Sequence, residues 1–161
     1  WFKKDTELDR TISQRFGALN AQAARCECYV WRQTAQGRLA EIIVLDQFSR
    51  NIYRDDARAF ATDALALVLA QEAVSASADA ELTSQQRVFL YMPYMHSESA
   101  AIHEVAMQLF NQPGLENNYD FEVRHKAIIG RFGRYPHRNA LLGRDSTDEE
   151  LAFLKQPGSS F

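Results

Sequence analysis

Residues 42–51 read IIVLDQFSRN, and this stretch passes from the most apolar run in the first third of the chain directly into a polar string. On a helix, Ile42 and Leu45 share one face, because residues three and four apart are neighbours. Asp46 and Arg50 are one turn apart, so they also lie beside each other. The spacing predicts a core helix whose last turn carries charge.

The Asp46 and Arg50 pair has two interpretations. On an exposed surface, the pair would stabilise the helix by about 0.3–0.5 kcal/mol. In the second interpretation, such an apolar helix cannot leave its last turn in open water, and Asp46, Arg50 and Asn51 face a groove between helices. Buried charges destabilise a protein unless they are paired and hydrogen-bonded. The second interpretation therefore requires partner groups from elsewhere in the chain.

The composition is that of one globular domain. A chain of 161 residues fits a single domain spanning residues 1–161. Apolar residues make up 46% and charged residues 24%, which are ordinary values for soluble proteins. The net charge of −3 gives no overall attraction to nucleic acid or to anionic membranes. No apolar run reaches the length of about 20 residues that spans a bilayer, so we expect a cytoplasmic protein without membrane contact.

The two cysteines, Cys26 and Cys28, are separated by one residue. This spacing makes them a poor disulfide pair, and two cysteines are too few for a structural zinc site. We therefore expect two free thiols in a reducing compartment. The chain begins with WFKK rather than with methionine, so we also expect that a native N-terminal stretch precedes it.

The pattern of apolar residues predicts an all-α fold. Apolar residues recur at helical spacing, and no segment shows the alternation that is typical of strands. We expect about seven or eight helices, stacked as antiparallel hairpins because the connections are short. Thr83 with Gln86, and Thr147 with Glu150, have the spacing of capping boxes, which begin helices.

Three boundaries follow from local composition. The opening helix is expected over about residues 38–48, and another helix over about residues 56–77. Residues 49–56 between them are rich in Arg, Asn and Asp, which favours a turn. Pro93 lies inside an apolar run, and we expect its helix to kink or end there, because proline lacks a backbone N–H.

Residues 123–144 form a basic segment that contains no Asp or Glu. Its basic residues are Arg124, His125, Lys126, Arg131, Arg134, His137, Arg138 and Arg144. One interpretation is a solvated surface, or a set of partners for acids on other helices. The other is an anion site, because a planar guanidinium suits carboxylate and phosphate. Nucleic acid is disfavoured as a partner, since no RNA-binding fingerprint accompanies the segment.

His96, Glu98 and His103 are further candidates for chemistry. No HExxH motif is present, and we predict no metal and no other cofactor. No serine or cysteine lies in a recognisable nucleophile elbow or triad.

Four strings follow one another along the chain: GRLAEIIVLDQFSRNIYRDDARAFATDALAL, YMPYMHSE, RHKAIIGRFGRYPHRNALLGR and PGSSF. Through them, nearly the whole chain resembles the bacterial family catalogued as domain of unknown function 924. The resemblance implies an all-helical fold similar to tetratricopeptide (TPR) proteins, a right-handed superhelical stack of helices. It implies no established activity. The family pattern commonly reads DQFPRN, whereas this chain has Ser49 in place of the proline.

The resemblance also implies that the polar residues of these strings form one feature. The candidates for ligand binding or for a charged network are Asp46, Arg50, Asn51, Arg58, His96, Glu98, His125, Arg131, Arg134, His137 and Arg138. We hypothesise that Asp46 and Glu98 pair with arginines and histidines of the turn RYPHRN, residues 134–139.

Three classes of function follow. The first is a TPR-like binding module that presents a polar, basic groove to a peptide or a small anionic ligand. The second is an enzyme for a phosphate- or carboxylate-bearing substrate, with His96 or His137 as acid or base. The third is a purely structural charged cluster. Convergent polar groups around a pocket would favour the enzyme, and an open groove would favour the module. A homo-oligomer is compatible with each class.

Overall fold

The computed structural model describes residues 5–160, and the regular secondary structure of these residues is helical without any strand. The α-helices are Thr6–Ala24 (α1), Ala35–Ile43 (α2), Ser49–Ile52 (α3), Asp63–Ser75 (α4), Ser84–Met95 (α5), Ala100–Phe110 (α6), Glu116–Phe132 (α7) and Asp148–Phe153 (α8). Short 3₁₀ helices are Tyr29–Gln33, Ala57–Phe60, Ala78–Glu81 and Pro136–Arg138. A π-helical segment, Val44–Phe48, joins α2 directly to α3. The predicted all-helical class is confirmed.

Local capping signals begin several of these helices. The Asp5 carboxylate accepts the backbone N–H groups of Glu7 and Leu8 at 3.0 Å at the start of α1. Both predicted capping boxes form, one at the start of α5 and one at the start of α8. Each box pairs two N–H groups that a helix start otherwise leaves unbonded.

The main core lies between α2, α4, α5 and α6. Ile42, Leu45 and Leu90 are fully buried there, together with the rings of Tyr91 and Phe110. Helix α2 packs against α4 and α5, while α5 packs against α6 and α6 against α7. Burial of this apolar surface provides the main stabilisation of the fold. No helix in residues 5–160 is long and apolar enough to cross a membrane.

The turn predicted over residues 49–56 is only half right: the helix continues to Ile52 through the π-helical segment, and the turn covers residues 53–56. The wider turn of a π-helix changes which backbone N–H and C=O groups pair with each other. Three successive carbonyls of this segment accept hydrogen bonds from side chains. Asn20 donates to the carbonyl of residue 44 at 2.8 Å, and Thr62 donates to that of residue 45 at 2.7 Å. Arg50 donates to the carbonyl of residue 46 at 2.8 Å. Side chains from α1 and the start of α4 thus stabilise the helix where it continues past Phe48.

Two other boundaries differ from the prediction. The helix expected over residues 56–77 is divided into the 3₁₀ helix Ala57–Phe60 and the α-helix Asp63–Ser75. Pro93 lies inside α5, which ends two residues later, at Met95. Since Pro93 has no N–H, it cannot donate to the preceding turn, and the helix does not extend far beyond it.

Candidate functional site

A cavity of about 800 Å³ lies where α3, the C-terminal end of α5, α7 and the 3₁₀ helix Pro136–Arg138 meet. Its lining contains four arginines and three histidines beside apolar and aromatic side chains. The basic lining residues are Arg50, Arg54, Arg124, Arg138, His96, His125 and His137. The apolar and aromatic ones include Phe60, Met92, Met95, Phe121, Tyr135 and Leu141.

The carboxylate of Asp46, on the π-helical segment, is buried behind this lining, with 1% of its surface exposed. Its Oδ1 lies 2.7 Å from Nδ1 of His96 and 3.0 Å from Nη1 of Arg50, and its Oδ2 accepts Nε2 of Gln47 at 2.6 Å. Burial raises the pKa of Asp46, but the charge of Arg50 and the contact with His96 outweigh it and hold that pKa well below its ordinary value. Asp46 is therefore ionised.

The ionised carboxylate fixes the tautomer of His96. Because Asp46 carries no proton, Nδ1 of His96 donates the hydrogen bond between them. Burial, followed by the charge of Arg50, lowers the pKa of His96, so the ring is neutral near pH 7. The other nitrogen, Nε2, then has a free lone pair, and no residue in the described part of the chain bonds to it. The side chain keeps 17% of its surface exposed on the cavity wall.

Asp63 is shared by two guanidinium groups. Arg50 donates from Nη1 and Nη2 to its two oxygens, each at 2.9 Å, and Arg138 approaches Oδ2 from Nη1 at 3.3 Å. Burial lowers the pKa of Arg50, but Asp46 and Asp63 outweigh it, and the net shift is upward. Arg50 is thus a fully compensated cation, with carboxylate partners on two sides.

The charge of Arg138 is less completely balanced by carboxylate partners than that of Arg50. The guanidinium of Arg138 lies between the rings of Phe60 and Tyr135, 4.6 and 4.7 Å from their centroids, and 6% of the residue is exposed. Its Nε is buried without a hydrogen-bond partner among residues 5–160. Burial and the nearby charge of Arg50 lower the pKa of Arg138, although Asp63 and Glu98 oppose this. Arg138 remains charged and has donor capacity that the described residues leave unused.

The other two histidines of the lining are also neutral. Burial lowers the pKa of His125 to about 3, although Nδ1 donates to the carbonyl of Phe121 at 2.8 Å. Burial, followed by the charge of Arg138, lowers the pKa of His137 to about 4. Nδ1 of His137 is buried without a partner in the described chain. The cavity therefore combines charged arginines with neutral imidazoles.

The second predicted acid, Glu98, anchors the turn that carries Arg138. It pairs with Arg144 at 2.6 and 2.9 Å and accepts the backbone N–H of Tyr135 at 2.8 Å. The Tyr135 hydroxyl donates to the carbonyl of Met95 at 2.6 Å, which connects the turn to α5. These contacts fix the position of the 3₁₀ helix Pro136–Arg138.

The hypothesis about the turn RYPHRN is therefore only partly right. Glu98 contacts the turn, but through a backbone N–H, and its arginine partner is Arg144, beyond the turn. The described partners of Asp46 are His96, Arg50 and the neighbouring glutamine, none of which belongs to the turn. Asp46 does not contact the turn, because Asp63 lies between the Asp46 group and the turn.

The structure brings most of the predicted site residues together. Those in the cavity lining are Arg50, Asn51, His96, His125, His137 and Arg138, with Asp46 and Glu98 bonded directly to lining residues. Asn51 also donates to Asp9 at 2.8 Å. Three predicted residues lie elsewhere, each in an ion pair with a nearby acid. These pairs are Arg58 with Asp56, Arg131 with Glu149 and Arg134 with Glu150.

Sequence reasoning missed Asp63, Phe60 and Arg54. Asp63 lies in the first turn of α4, where an acid is ordinary because the helix dipole favours it. Phe60 has the appearance of a core residue, and Arg54 lies in the segment that was expected to be a turn. None of the three has a local motif, so only their positions in space identify them.

Among the described residues, no group of three or more His, Cys, Asp or Glu side chains is placed to hold a metal ion. His103, a candidate in the sequence, is fully buried and bonds Oε1 of Glu122 at 2.6 Å. It also lies 2.9 Å from the carbonyl of Ser97.

Comparison with known proteins gives the family. The family model described as a bacterial protein of unknown function, domain of unknown function 924, matches residues 1–158. The chain belongs to this family. A solved structure of a protein of unknown function from Agrobacterium tumefaciens is 39% identical and superposes with a TM-score of 0.91. The match covers 96% of this chain and 88% of the other. No curated protein matches the chain.

Proposed function

We propose that this member of the domain of unknown function 924 family binds a small organic anion, a carboxylate or a phosphate ester, in the cavity. The observation that carries the proposal is Arg138, a buried guanidinium held between two rings, with a donor that the described residues leave unpaired. Buried polar groups in proteins are almost always hydrogen-bonded. An anion at the edge of this guanidinium would supply the acceptor.

The rest of the lining supports a ligand with an apolar body as well as a charge. Met92, Met95, Phe121 and Leu141 line the same cavity as the arginines. Apolar walls with a few convergent polar groups are the usual composition of small-molecule sites, which typically measure about 300–1,000 Å³. A volume of about 800 Å³ therefore favours a small molecule over an extended peptide.

We also propose how the helices of this protein are arranged. A right-handed, TPR-like superhelix is supported by the packing of each of α4, α5 and α6 against the next helix in the chain. In that arrangement the cavity would lie between successive helical layers. Its fixed walls would hold a small ligand in one orientation.

Calorimetric titration with succinate tests the anion site. We expect saturable binding to the wild type and at least about tenfold weaker binding to Arg138→Gln, because a charge-assisted hydrogen bond contributes about 1.5–3 kcal/mol. Arg58→Gln is the matched control, since Arg58 is an exposed arginine outside this cavity, paired with Asp56. Equal affinity in all three proteins, or no binding of succinate or inorganic phosphate to the wild type, would overturn the proposal.

A further inference from the structure

We infer that the cavity is a hydrolytic site, in which Nε2 of His96 takes a proton from a water molecule that attacks an ester of the bound anion. The inference rests on the proposed anion site and adds a reaction to it. The observation behind it is the hydrogen bond of 2.7 Å between Nδ1 of His96 and the buried carboxylate of Asp46.

The Asp46–His96 hydrogen bond gives the His96 ring the protonation state that a general base requires. The carboxylate keeps the proton on Nδ1 and leaves the lone pair on Nε2, at the opposite edge of the ring. When Nε2 takes up a proton, the negative charge of Asp46 stabilises the imidazolium that forms. Asp46 is itself held by Arg50 and Gln47, so the ring has a fixed orientation. His96 is assigned as the catalytic residue and Asp46 as a positioning residue.

The base and the anion site are parts of one network. Asp46 bonds to His96 and to Arg50, Arg50 bonds to Asp63, and Asp63 bonds to Arg138. His96 and Arg138 also line the same cavity. An anion bound at Arg138 therefore has its remaining atoms in the space that His96 faces.

Water is the nucleophile that the lining favours. Among the described residues, the lining contains no cysteine and no lysine that could attack a substrate. Ser160 also lines the cavity, and no hydrogen bond connects it to His96. A neutral imidazole with a free lone pair can instead remove a proton from water.

Mono-4-nitrophenyl succinate is a suitable probe for this reaction, because it has one carboxylate for Arg138 and one activated ester. Nε2 of His96 takes a proton from water as the water oxygen bonds to the ester carbonyl carbon. The bond from that carbon to the 4-nitrophenyl oxygen breaks, and this oxygen keeps the electron pair and takes the proton from Nε2. Ester and water together give succinate, 4-nitrophenol and one proton released to solvent. His96 returns to its neutral form.

His96→Asn tests the base in the intact protein. The asparagine amide can occupy the position of Nδ1 and still donate to Asp46, so the variant removes Nε2 with little change to the buried network. We expect the wild type to release 4-nitrophenol and His96→Asn to do so at least about a hundredfold more slowly, the usual range for loss of a general base. Succinate affinity, measured by calorimetry, should stay within a few-fold of the wild type.

Asp46→Asn tests the positioning role through a pH profile. The charged or titratable groups around His96 are Asp46, Arg50, Asp63, His125 and His137. We expect the wild-type rate to rise with pH and to level off below the ordinary pKa of imidazole. In Asp46→Asn the amide can donate to Nδ1 and place the proton on Nε2, so the plateau should fall at least about tenfold. The midpoint of the profile should also move to lower pH, because the Asp46 carboxylate raises the pKa of His96 and the amide does not carry its charge. Weaker folding alone would lower the rate without moving the midpoint.

The outcomes separate the two proposals. Succinate binding without hydrolysis above that of His96→Asn would overturn the hydrolytic inference and leave the anion site standing. Hydrolysis at the same rate in wild type and His96→Asn would also overturn it. Absence of both binding and hydrolysis would overturn the anion site and the inference together.

Discussion

At the scale of single residues, the site depends on charges whose ionisation is set by burial and by their neighbours. Asp46 is held ionised by Arg50 and His96, whereas His125 and His137 are held neutral mainly by burial. The Asp46–Arg50 pair was predictable, because a separation of four residues makes two side chains neighbours on a helix. His96 lies 50 residues from Asp46, and no local pattern connects the two.

The neutral histidines predict a loss of stability in mild acid. The pKa of His137 is about 4 in the folded protein and about 6.5 in an unfolded chain. Between these values the unfolded state binds more protons, so the free energy of unfolding must fall as pH falls through this window. We expect His137 to contribute about 1–2 kcal/mol of this loss between pH 7 and pH 5.

Urea denaturation of the wild type and of His137→Gln at both pH values checks this prediction. The wild type should lose more free energy of unfolding than the variant, whose amide does not titrate. An equal loss in both proteins would show that His137 is protonated as easily in the folded state as in the unfolded one.

At the scale of elements, the helix starts were predictable and the π-helical segment was not. A capping box is read from residues three apart, so Thr83 with Gln86 sufficed to place the start of α5. The π-helical segment depends on Asn20 from α1 and Thr62 from the start of α4, which reach its carbonyls only in the folded chain. The polar residues that follow Phe48 therefore indicated a turn, although the helix continues.

Asn20→Ala tests this account of the π-helical segment. Asn20 is buried, and its amide donates to the carbonyl of residue 44 and to the hydroxyl of Ser49. Its removal leaves a buried carbonyl without that donor, so we expect the free energy of unfolding to fall by about 1–3 kcal/mol. Gln22→Ala is the control, because Gln22 is an exposed residue of the same helix. Equal stability of the two variants in urea denaturation would contradict the account.

At the scale of the whole molecule, the cavity forms because distant segments meet. Arg138 and Asp63 are 75 residues apart, and Arg144 and Glu98 are 46 apart. The family resemblance grouped Glu98 and Arg138 with residues of the cavity lining, but composition and spacing could not place Asp63 between Arg50 and Arg138. Arg58, Arg131 and Arg134 were grouped with them because they lie in the same strings, although each pairs with an acid outside the cavity.

The central claim, that Arg138 is an anion-binding group, is tested most directly by thermal unfolding of the wild type and of Arg138→Gln with succinate, benzoate and inorganic phosphate. A ligand at 100 times its Kd stabilises the folded state by about 2.7 kcal/mol. For a chain of this size, that should raise the Tm by about 5 °C or more. We predict such a rise for at least one of the anions with the wild type and a rise at most about half as large with Arg138→Gln. The same rise in both proteins, or no rise with any of the three anions, would contradict the claim.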